Sequence, residues 1–589
     1  MCGIFSLLNN GDDCKHSVKP VFKKEIVMQA FDKGVKRGPE YSELRQVDLN
    51  TSLGFHRLAI NGLDQWSSQP MQIDNITLIC NGEIYNYKEL YQDIETDPIT
   101  KSDCEIIIHL YKRYGIEYTL HLLDGVFAFI LYDIDKEKLY VARDPYGVRP
   151  LYQIYNRKNN LVWSEGMMMN GLWNVGKWEE KPGIVAFASE LKVLHHLIAG
   201  DNSITKKDNY KISHFPSGSY LIFSKNNDNA WFSDHQPIKY NTFNFSSNIA
   251  KSSNLFPVMN DLMYYQNICA YLINAVKKRV VGTSDRPIAC LLSGGLDSSL
   301  IAALVSKFYQ GTLETYSIGM PGSEDLKYAE IVAKHIGSKH TSLVVSEDEF
   351  FAAIPEVIGV IESYDTTSVR ASVGNYLIGK YIALNSKAKV IFNGDGSDEV
   401  TGGYLYFKAA PSPIEFDKEC KRLLTDIYAF DVLRSDKSIS SNGLEPRTPF
   451  LDREFVDYYL SIPAAHRMPK KGEIEKNLLR SAFAKTEPGI LPECILWRKK
   501  EAFSDGVSSL QKSWYEIIQD KLESYSCPID YASIDYDTNS PKTKEQSYYR
   551  YIFEERYPGQ AEIVPYFWMP KFIEATDASA RTLPGYHAK

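Results

Sequence analysis

The sequence lacks the features that mark a membrane protein. No window of its 589 residues approaches the roughly 18 uncharged apolar residues that a transmembrane helix needs. The apolar run at the start is too short for a signal peptide, and no basic residue precedes it. We therefore expect a cytoplasmic location and no membrane partner.

Basic surface charge and paired cysteines are also missing. The net charge of −8 gives the chain no overall attraction for nucleic acid, so we expect no nucleic-acid partner. The nine cysteines are scattered along the chain and include no C-x-x-C pair. This pattern is typical of a reducing compartment and argues against a disulfide framework or a thiolate zinc site.

The chain is too long for one hydrophobic core, which predicts at least two domains. Its 44% hydrophobic and 24% charged residues are ordinary for a globular protein. The stretch between Tyr240 and Asn260 is rich in Asn and Ser, which is the composition of a linker. We place a first domain at 2–236, the linker at 237–258, a second domain at 259–576 and a loosely held tail at 577–589.

The two halves have different patterns of predicted secondary structure. The first half contains short apolar or β-branched runs, interrupted by a helical pattern at Asp103–Tyr114, which predicts an α+β domain built on antiparallel sheets. The second alternates strands and helices, which predicts an α/β domain with a parallel sheet. The predicted strands are Ile4–Leu8, Ser52–Ile60, Thr77–Cys80, Val126–Leu131, Leu139–Val141, Val185–Ala188, Pro287–Leu292, Leu313–Ile318 and Lys389–Phe392, and the predicted helices of the second half are Asp261–Val281, Ser298–Tyr309 and Leu326–Ile336.

Cys2 is the first candidate for chemistry. Removal of Met1 would leave a cysteine whose own α-amino group, with a pKa of about 7.7–8.0, serves as the base for its thiol. The alternative is a small buried residue at the start of a strand. Cys2 alone does not decide between these two interpretations.

Three later segments favour the nucleophile. Arg57, in HRLAI, could hold a substrate carboxylate with its planar fork of donors. Asn81 and Gly82, in CNGEIYNY, offer the side-chain amide and the backbone N–H of an oxyanion hole. Asp103, in KSDCE, could bind an α-ammonium group. The ordinary alternatives are a surface ion pair for Arg57 and a helix N-cap for Asp103.

Two glycine-rich loops follow predicted strands of the second half. Residues 292–298, LSGGLDS, open a helix, where glycines and a helix N-terminus favour phosphate, and the acidic Asp297 there implies Mg²⁺ as well. Residues 393–399, NGDGSDE, follow the strand at Lys389–Phe392. Ends of parallel strands are where such sheets bind ligands. The alternative for both loops is a simple turn.

The motifs of the first half, with R-G-P at 37–39, DGVFAF at 124–129 and RDPYGVRPLY at 143–152, resemble the class II glutamine amidotransferases. The resemblance implies sandwiched antiparallel sheets of the N-terminal-nucleophile hydrolase type, in which Cys2 attacks the side-chain amide of L-glutamine. It also implies that Asn81 and Gly82 stabilise the tetrahedral oxyanion. The glutamine pocket implied in this way consists of Arg57, Leu58, Ala59, Ile60, Asn61, Asn81, Gly82, Glu83 and Asp103.

The second half resembles the glutamine-hydrolysing asparagine synthetases. The matching segments are LLSGGLDSS, GMPGSEDLKYA, ESYDTTSVRAS, FNGDGSDEVTGGYLYF, EPRTPFLD, GEIEKNLLR and WRKKEAFSDGV, and with the first half they cover nearly the whole chain. The resemblance implies a parallel α/β fold of the pyrophosphate-loop ATP-binding type, in which L-aspartate attacks the α-phosphorus of MgATP. β-Aspartyl-AMP and pyrophosphate form, and ammonia from the first site displaces AMP to give L-asparagine.

Roles of single residues follow from the same resemblance. The ATP contacts that it implies are Leu292, Ser293, Gly294, Gly295, Asp297, Ser298, Ile318, Asn393 and Gly394. Asp297 and Asp398 would hold Mg²⁺, and Lys476 would neutralise the leaving phosphates. Thr367 and Arg370 would shape the aspartate pocket. An apolar ammonia tunnel, lined in part by Val126, and a homodimer complete these expectations.

Two departures from the family pattern stand out. The family usually has Ser-Gly-Glu-Gly-Ser-Asp-Glu where this chain has NGDGSDE, so Asp395 replaces a catalytic glutamate that supports formation of the acyl-adenylate. Because a carboxylate remains, we expect Asp395 to keep this role. The second departure is an apparent insertion at Arg157–Ile184, which is either a surface loop or an apolar contact patch for a partner.

Two other functions stay open at this point. An enzyme of the same architecture could act on a different carboxylate acceptor. A chain that had lost activity could serve as a binding subunit, although the joint presence of Cys2, Arg57, Asp297 and Lys476 argues against this.

Overall fold

The computed structural model describes residues 2–11, 20–156, 183–200, 210–233, 235–241, 261–283, 285–470, 472–501, 503–509, 511–524, 536–579 and 581. Residues 157–182 of the predicted insertion, residues 242–258 of the predicted linker and most of the predicted tail lie outside the described residues. The domain boundaries therefore stay predictions. Asp577 and Ser579 of the predicted tail are described, and both hydrogen-bond to the second domain.

Two antiparallel sheets form the centre of the first domain. One has the strand order β10-β8-β9-β1-β3-β2, and the other β12-β11-β7-β6-β5-β4, with β13 beside β11. Side chains alternate between the two faces of a strand, so each sheet directs an apolar face at the other, including Ile4, Phe55, Ile79 and Ile130. The strands are β1 (Gly3–Leu8), β2 (Tyr41–Asp48), β3 (Thr51–Arg57), β4 (Met71–Ile73), β5 (Ile76–Ile84), β6 (Gly125–Asp133), β7 (Lys138–Arg143), β8 (Tyr152–Asn156), β9 (Val185–Ala188), β10 (Tyr210–His214), β11 (Ser219–Lys225), β12 (Trp231–Phe232) and β13 (Ile238–Lys239).

Helices cover the outer faces of these two sheets. Phe5 and Leu7 of β1 share a core with Val27 and Leu194 of two helices, and Leu78 of β5 lies in a second core with helices of the segment 87–122. The result is the predicted α+β domain of sandwiched antiparallel sheets. Its helices are α1 (Lys24–Asp32), α2 (Tyr87–Asp93), α3 (Ile106–Leu122) and α4 (Leu191–Ala199).

A parallel sheet forms the centre of the second domain, as predicted. Its order is β16-β15-β14-β17-β18, and every neighbouring pair is parallel. Ala289 faces one apolar core and Cys290 the other, so helices pack on both sides. The strands are β14 (Ile288–Leu291), β15 (Glu314–Gly319), β16 (Lys339–Val344), β17 (Val390–Phe392) and β18 (Glu445–Arg447).

The helices of the second domain extend well beyond the three that were predicted. None of the described helices is long and apolar enough to cross a bilayer. They are α5 (Asp261–Val281), α6 (Leu296–Phe308), α7 (Glu324–Ile336), α8 (Glu347–Ala352), α9 (Ile354–Ile361), α10 (Thr366–Asn385), α11 (Ser397–Thr401), α12 (Pro413–Asp426), α13 (Asp431–Ser440), α14 (Arg453–Ser461), α15 (Ala464–Arg467), α16 (Asn477–Thr486), α17 (Glu493–Leu496), α18 (Phe503–Gly506), α19 (Trp514–Ser524) and α20 (Lys544–Arg556).

Two predicted elements differ from the structure in ways that matter for the site. The strand predicted to reach Ile60 ends at Arg57, because the following residues form a loop whose backbone is bonded by side chains. The helix predicted at Asp103–Tyr114 begins as a 3-10 turn at Asp103–Glu105 and continues as α3 to Leu122. Gly115, with φ 78°, kinks it.

Truncation of Phe55 tests the core between the two sheets of the first domain. The side chain is 1% exposed, so Phe55→Ala should cost about 3–5 kcal/mol and lower the urea concentration at which the first domain unfolds. Leu384→Ala is the control, because Leu384 is 77% exposed and its truncation should cost within about 0.5 kcal/mol. Equal urea midpoints for the two variants would contradict the packing described for this core.

Candidate active sites

Cys2 lies immediately before β1, with its side chain half-buried against the core between the two sheets. Its Sγ lies 3.7 Å from the Leu58 carbonyl oxygen, which accepts a weak hydrogen bond from the thiol. Burial is the main cause that raises the pKa of the Cys2 thiol to about 11. A thiol with this pKa is neutral near pH 7, so it needs a base before it can act as a nucleophile.

Asn81 is the second element of this site. It lies on β5 with 0% exposure, and neither its Nδ2 nor its Oδ1 has a hydrogen-bond partner within the described part of the chain. A buried amide without partners costs about 1–3 kcal/mol, so its retention points to a ligand that completes it. Glu83 shares its strand face, by the alternation of β5, and accepts a hydrogen bond from Asn61 at 3.0 Å.

Gly82 occupies a position that only glycine fits. A Cβ atom there would lie 2.6 Å from the Val126 carbonyl oxygen and 2.8 Å from the Phe127 Cβ. Asp103 approaches the end of the same strand, where its Oδ2 accepts the Ile84 N–H at 2.7 Å. Burial raises the pKa of the Asp103 carboxyl group above its ordinary value.

Arg57 supports the loop after β3. Its guanidinium donates to the Gly62 carbonyl oxygen, to the Asp64 carbonyl oxygen at 2.7 Å and to the Ser68 hydroxyl at 2.9 Å. These bonds join the two ends of the loop. The structure thus brings Cys2, the Arg57–Asn61 loop and the β5 residues of the predicted glutamine pocket to one end of the first domain.

The loop after β14 forms the start of the second site. Gly294 has φ +72°, and a Cβ atom there would lie 2.5 Å from backbone atoms of Tyr328 and Ala329. The hydroxyls of Ser293 and Ser298 lie 3.0 Å apart, at the N-terminus of α6. Backbone N–H groups, hydroxyls and the helix N-terminus make this a suitable site for phosphate.

Lys476 joins this loop to the one after β17. Its Nζ lies 2.5 Å from Asp297 Oδ2 and 2.7 Å from Asp398 Oδ1. Lys500 also pairs with Asp398. Burial would raise the pKa of Asp398, but the two lysines outweigh it, so the pKa lies below its ordinary value and the carboxylate is charged. Gly403 leaves room for this pair, because a Cβ atom there would lie 2.0 Å from Lys476 Cε and 2.2 Å from Asp398 Oδ1 and would displace both side chains.

Asp395 lies beside an arginine that sequence reasoning missed. Arg434, on α13, donates to Asp395 Oδ1 at 3.3 Å and to Asp431 Oδ1 at 2.6 Å. Tyr404 donates to Glu399 and, at 3.3 Å, to Asp431. In the sequence, Arg434, Asp431 and Tyr404 look like ordinary surface residues. No spacing between them indicates that the fold brings them together near Asp395.

One cavity collects most of the residues predicted for the second site. Its lining includes Leu292, Ser293, Gly295, Asp297, Ser298, Ile318, Thr367, Asn393, Gly394, Asp395, Asp398 and Lys476. Gly294 shapes the loop behind the lining. Sequence reasoning missed Tyr316, Asp325, Asn375, Glu399, Tyr404, Asp431, Arg434, Arg498 and Lys500, which also face the cavity.

Arg370 is the predicted pocket residue that does not line this cavity. Its guanidinium is bound by Glu545 at 2.6 and 2.8 Å and by Asp577 at 2.7 and 2.8 Å. It therefore links α10 to α20 and to the start of the predicted tail. Burial of this charge is compensated by its two carboxylate partners.

The chain matches known proteins over its whole length. Residues 268–415 and 411–562 match the asparagine synthase family model, and residues 1–232 match that of the glutamine amidotransferase domain. The asparagine synthetase (glutamine-hydrolyzing) of Bos taurus is 42% identical over 604 residues, which is 100% of this chain and 99% of the relative. The protein of that name from Homo sapiens is 41% identical over 605 residues, with the same coverage.

Replacement of Asn81 tests whether its amide lacks partners. Because neither amide atom is bonded by any residue that the structure describes, Asn81→Leu should leave the thermal midpoint of unfolding unchanged or raise it. Asn86→Leu is the matched control, because the Asn86 amide bonds the Leu122 carbonyl oxygen at 2.9 Å and the Asp124 N–H at 3.0 Å. The thermal midpoint of Asn86→Leu should fall by a few degrees, because two hydrogen bonds are lost. Equal losses in both variants would mean that Asn81 is bonded in the folded protein.

Proposed function

The chain belongs to the family of glutamine-hydrolysing asparagine synthetases, and we propose that it forms L-asparagine from L-aspartate and ATP, with L-glutamine as the nitrogen donor. One observation carries this proposal. The domain that holds Cys2 also holds the buried Asn81 amide, which has no partner among the described residues, and the same chain has a phosphate loop beside Lys476. The first arrangement suits amide hydrolysis, and the second suits attack on a nucleotide phosphate.

The first site would release ammonia. After removal of Met1, the α-amino group of Cys2 takes the thiol proton, and Sγ attacks the amide carbon of glutamine. The Asn81 amide and the Gly82 N–H stabilise the oxyanion, which explains a buried amide kept without protein partners. The tetrahedral intermediate then collapses: its C–N bond breaks, the nitrogen takes the proton held by the α-amino group and leaves as ammonia, and a thioester on Sγ remains. Water then hydrolyses the thioester to glutamate. Asp103, Glu83 and the Arg57–Asn61 loop hold the amino-acid end and the walls of the pocket.

The second site would activate L-aspartate. An oxygen of its β-carboxylate attacks the α-phosphorus of ATP, and the bond to the pyrophosphate oxygen breaks. Lys476 and the Ser293–Ser298 loop neutralise and bind the leaving pyrophosphate, while Leu292, Ile318, Asn393 and Gly394 contact the nucleotide. Ammonia then attacks the acyl carbon of β-aspartyl-AMP and AMP leaves. Thr367 lines the same cavity, and in this proposal it helps to shape the aspartate pocket.

Asp297 and Asp398 fit the Mg²⁺ that accompanies ATP. Among the described residues no cluster of three or more acidic, His or Cys side chains suits a metal. Mg²⁺ is usually bound through one or two carboxylates together with substrate phosphates and water. Two carboxylates beside the phosphate loop meet that requirement, and the ion would offset the charge of the phosphates.

An apolar core connects the two sites and supports an ammonia tunnel. Leu58, whose carbonyl meets Cys2, belongs to the same buried cluster as Val126, Tyr146, Cys290 and Leu292. This cluster extends from the first site to the phosphate loop. Neutral ammonia is stable in apolar surroundings, whereas in water it becomes protonated ammonium and loses its nucleophilicity. A homodimer remains part of the proposal at the level of family resemblance alone.

Incubation of the purified protein with glutamine, MgATP and aspartate tests the proposed function. Asparagine, AMP, pyrophosphate and glutamate should appear in equal amounts once the two sites are coupled. Replacement of aspartate by other dicarboxylic or carboxylic acids tests the alternative acceptor. Products formed from another acid in preference to aspartate would identify a different amide synthetase of this architecture.

Replacement of Cys2 separates the two half-reactions. Cys2→Ala should abolish glutamine hydrolysis, because Sγ is the only nucleophile proposed for that site, and asparagine synthesis from glutamine should be lost with it. Synthesis from added ammonium salts should persist, because the second site is intact. Hydrolysis of glutamine by Cys2→Ala would show that another group is the nucleophile.

Replacement of Asp395 tests the first departure from the family pattern. Asp395→Ala should abolish aspartate-dependent pyrophosphate release, because the carboxylate that supports adenylation is gone, while glutaminase activity persists. Asp395→Glu restores the usual family residue and should retain pyrophosphate release. Pyrophosphate release by Asp395→Ala at the rate of the unmodified protein would exclude this role.

A further inference from the structure

The loop Leu58–Gly62 of the first site is bonded by residues of the second domain. Arg286 Nε donates to the Ala59 carbonyl oxygen at 2.7 Å, and Asp285 Oδ2 accepts the Gly62 N–H at 3.0 Å. Both residues lie within three positions of the start of β14 at Ile288. The loop begins with Leu58, whose carbonyl oxygen meets Cys2 Sγ. The backbone that faces the nucleophile is thus attached to the opposite domain.

Glu40 completes a ring of hydrogen bonds around Ala59. Its Oε2 accepts the Ala59 N–H at 2.8 Å, and its two oxygens accept from Arg286 Nη2 at 2.7 and 2.9 Å. Glu40 thus binds the N–H of Ala59 and Arg286 binds its C=O, while the two side chains also bind each other. The ring fixes the peptide plane next to Leu58, and a lysine cannot form it because it lacks the fork of donors.

We propose that Arg286 is a positioning residue for the glutamine site, and that Asp285 assists it by holding the end of the Leu58–Gly62 loop. The domain that consumes ammonia thereby shapes the pocket that produces it. Shifts of about 1 Å in positioning groups can cost on the order of 10²-fold in activity, so a loop held from outside its own domain matters for binding glutamine. This inference rests on the proposed glutaminase function.

Arg286 also connects the Leu58–Gly62 loop of the first site to the phosphate loop of the second site, residues 292–298. Arg286 precedes β14, and β14 ends at Leu291, directly before the phosphate loop. β14 is the central strand of the parallel sheet, paired with both β15 and β17. The glutamine loop is consequently attached to the rigid part of the second domain and not to a free segment of its surface.

Steady-state glutamine hydrolysis by the full-length protein without ATP tests the proposal. Arg286→Gln should raise KM for glutamine about tenfold, the effect expected from loss of a charge-assisted hydrogen bond, with kcat within about twofold. The KM of Arg286→Lys for glutamine should lie between the values of the unmodified protein and of Arg286→Gln. One ammonium group can bond Ala59 or Glu40 but cannot close the ring of hydrogen bonds. Asparagine synthesis from added ammonium should stay at the level of the unmodified protein.

Arg453→Gln is the matched control. Arg453 also belongs to the second domain and donates to a backbone carbonyl of the first, that of His121 at 3.1 Å, at an exposed position away from the loop. Its replacement should leave KM for glutamine unchanged. An unchanged KM in Arg286→Gln, or an equal loss of glutamine- and ammonium-dependent synthesis, would overturn the proposal. Absence of glutamine hydrolysis in the unmodified protein would instead refute the proposed function.

Discussion

Arg37 connects Cys2, the nucleophile that we propose, to both domains, and the arrangement of the first site depends on this buried charge. Its Nε donates to the Cys2 carbonyl oxygen at 3.0 Å, and its Nη1 lies 2.8 Å from Glu190 and 2.7 Å from Asp436. A buried ion pair that loses one partner costs about 3–5 kcal/mol. Because Asp436 belongs to α13 of the second domain, separation of the domains would leave the charge beside Cys2 without its full compensation.

The helix α13 also extends to the second site, so this one helix contacts residues of both candidate active sites. Asp431 and Arg434 lie near its start and face the ATP cavity, while Asp436 and Lys437 face the first domain. An amphipathic helix normally presents one polar face to water. Here the polar residues are buried, because two charged sites on opposite sides require partners. An interface with this much ionic pairing restrains the orientation of the domains, and the apolar cluster that holds Leu58 and Leu292 spans the same interface.

Sequence patterns predicted the long and regular elements well. The helix Asp261–Val281 has the predicted bounds, because its apolar periodicity ends at Asn260 and Gly282 in the sequence. The short strand Val185–Ala188 has the predicted bounds as well. A strand as short as Glu445–Arg447 has no period to detect, although its Arg447 pairs with Glu83 of the first site. The role predicted for Arg370 stays a prediction: its guanidinium is bound by Glu545 and Asp577, contacts that a basic residue within a motif does not reveal in the sequence.

The unusual Asp395 has a physical explanation in the way Arg434 is held. Asp431 binds Arg434 at 2.6 and 2.9 Å, the usual lengths of a charge-assisted hydrogen bond, whereas Asp395 accepts from it at 3.3 Å. Arg434 is thus anchored by Asp431 and restrains Asp395 only weakly. A carboxylate that is one methylene shorter than the family's glutamate still faces the cavity and is not consumed by a strong ion pair. The substitution therefore keeps a carboxylate in the lining of this cavity, one methylene closer to the backbone of its loop than a glutamate would place it.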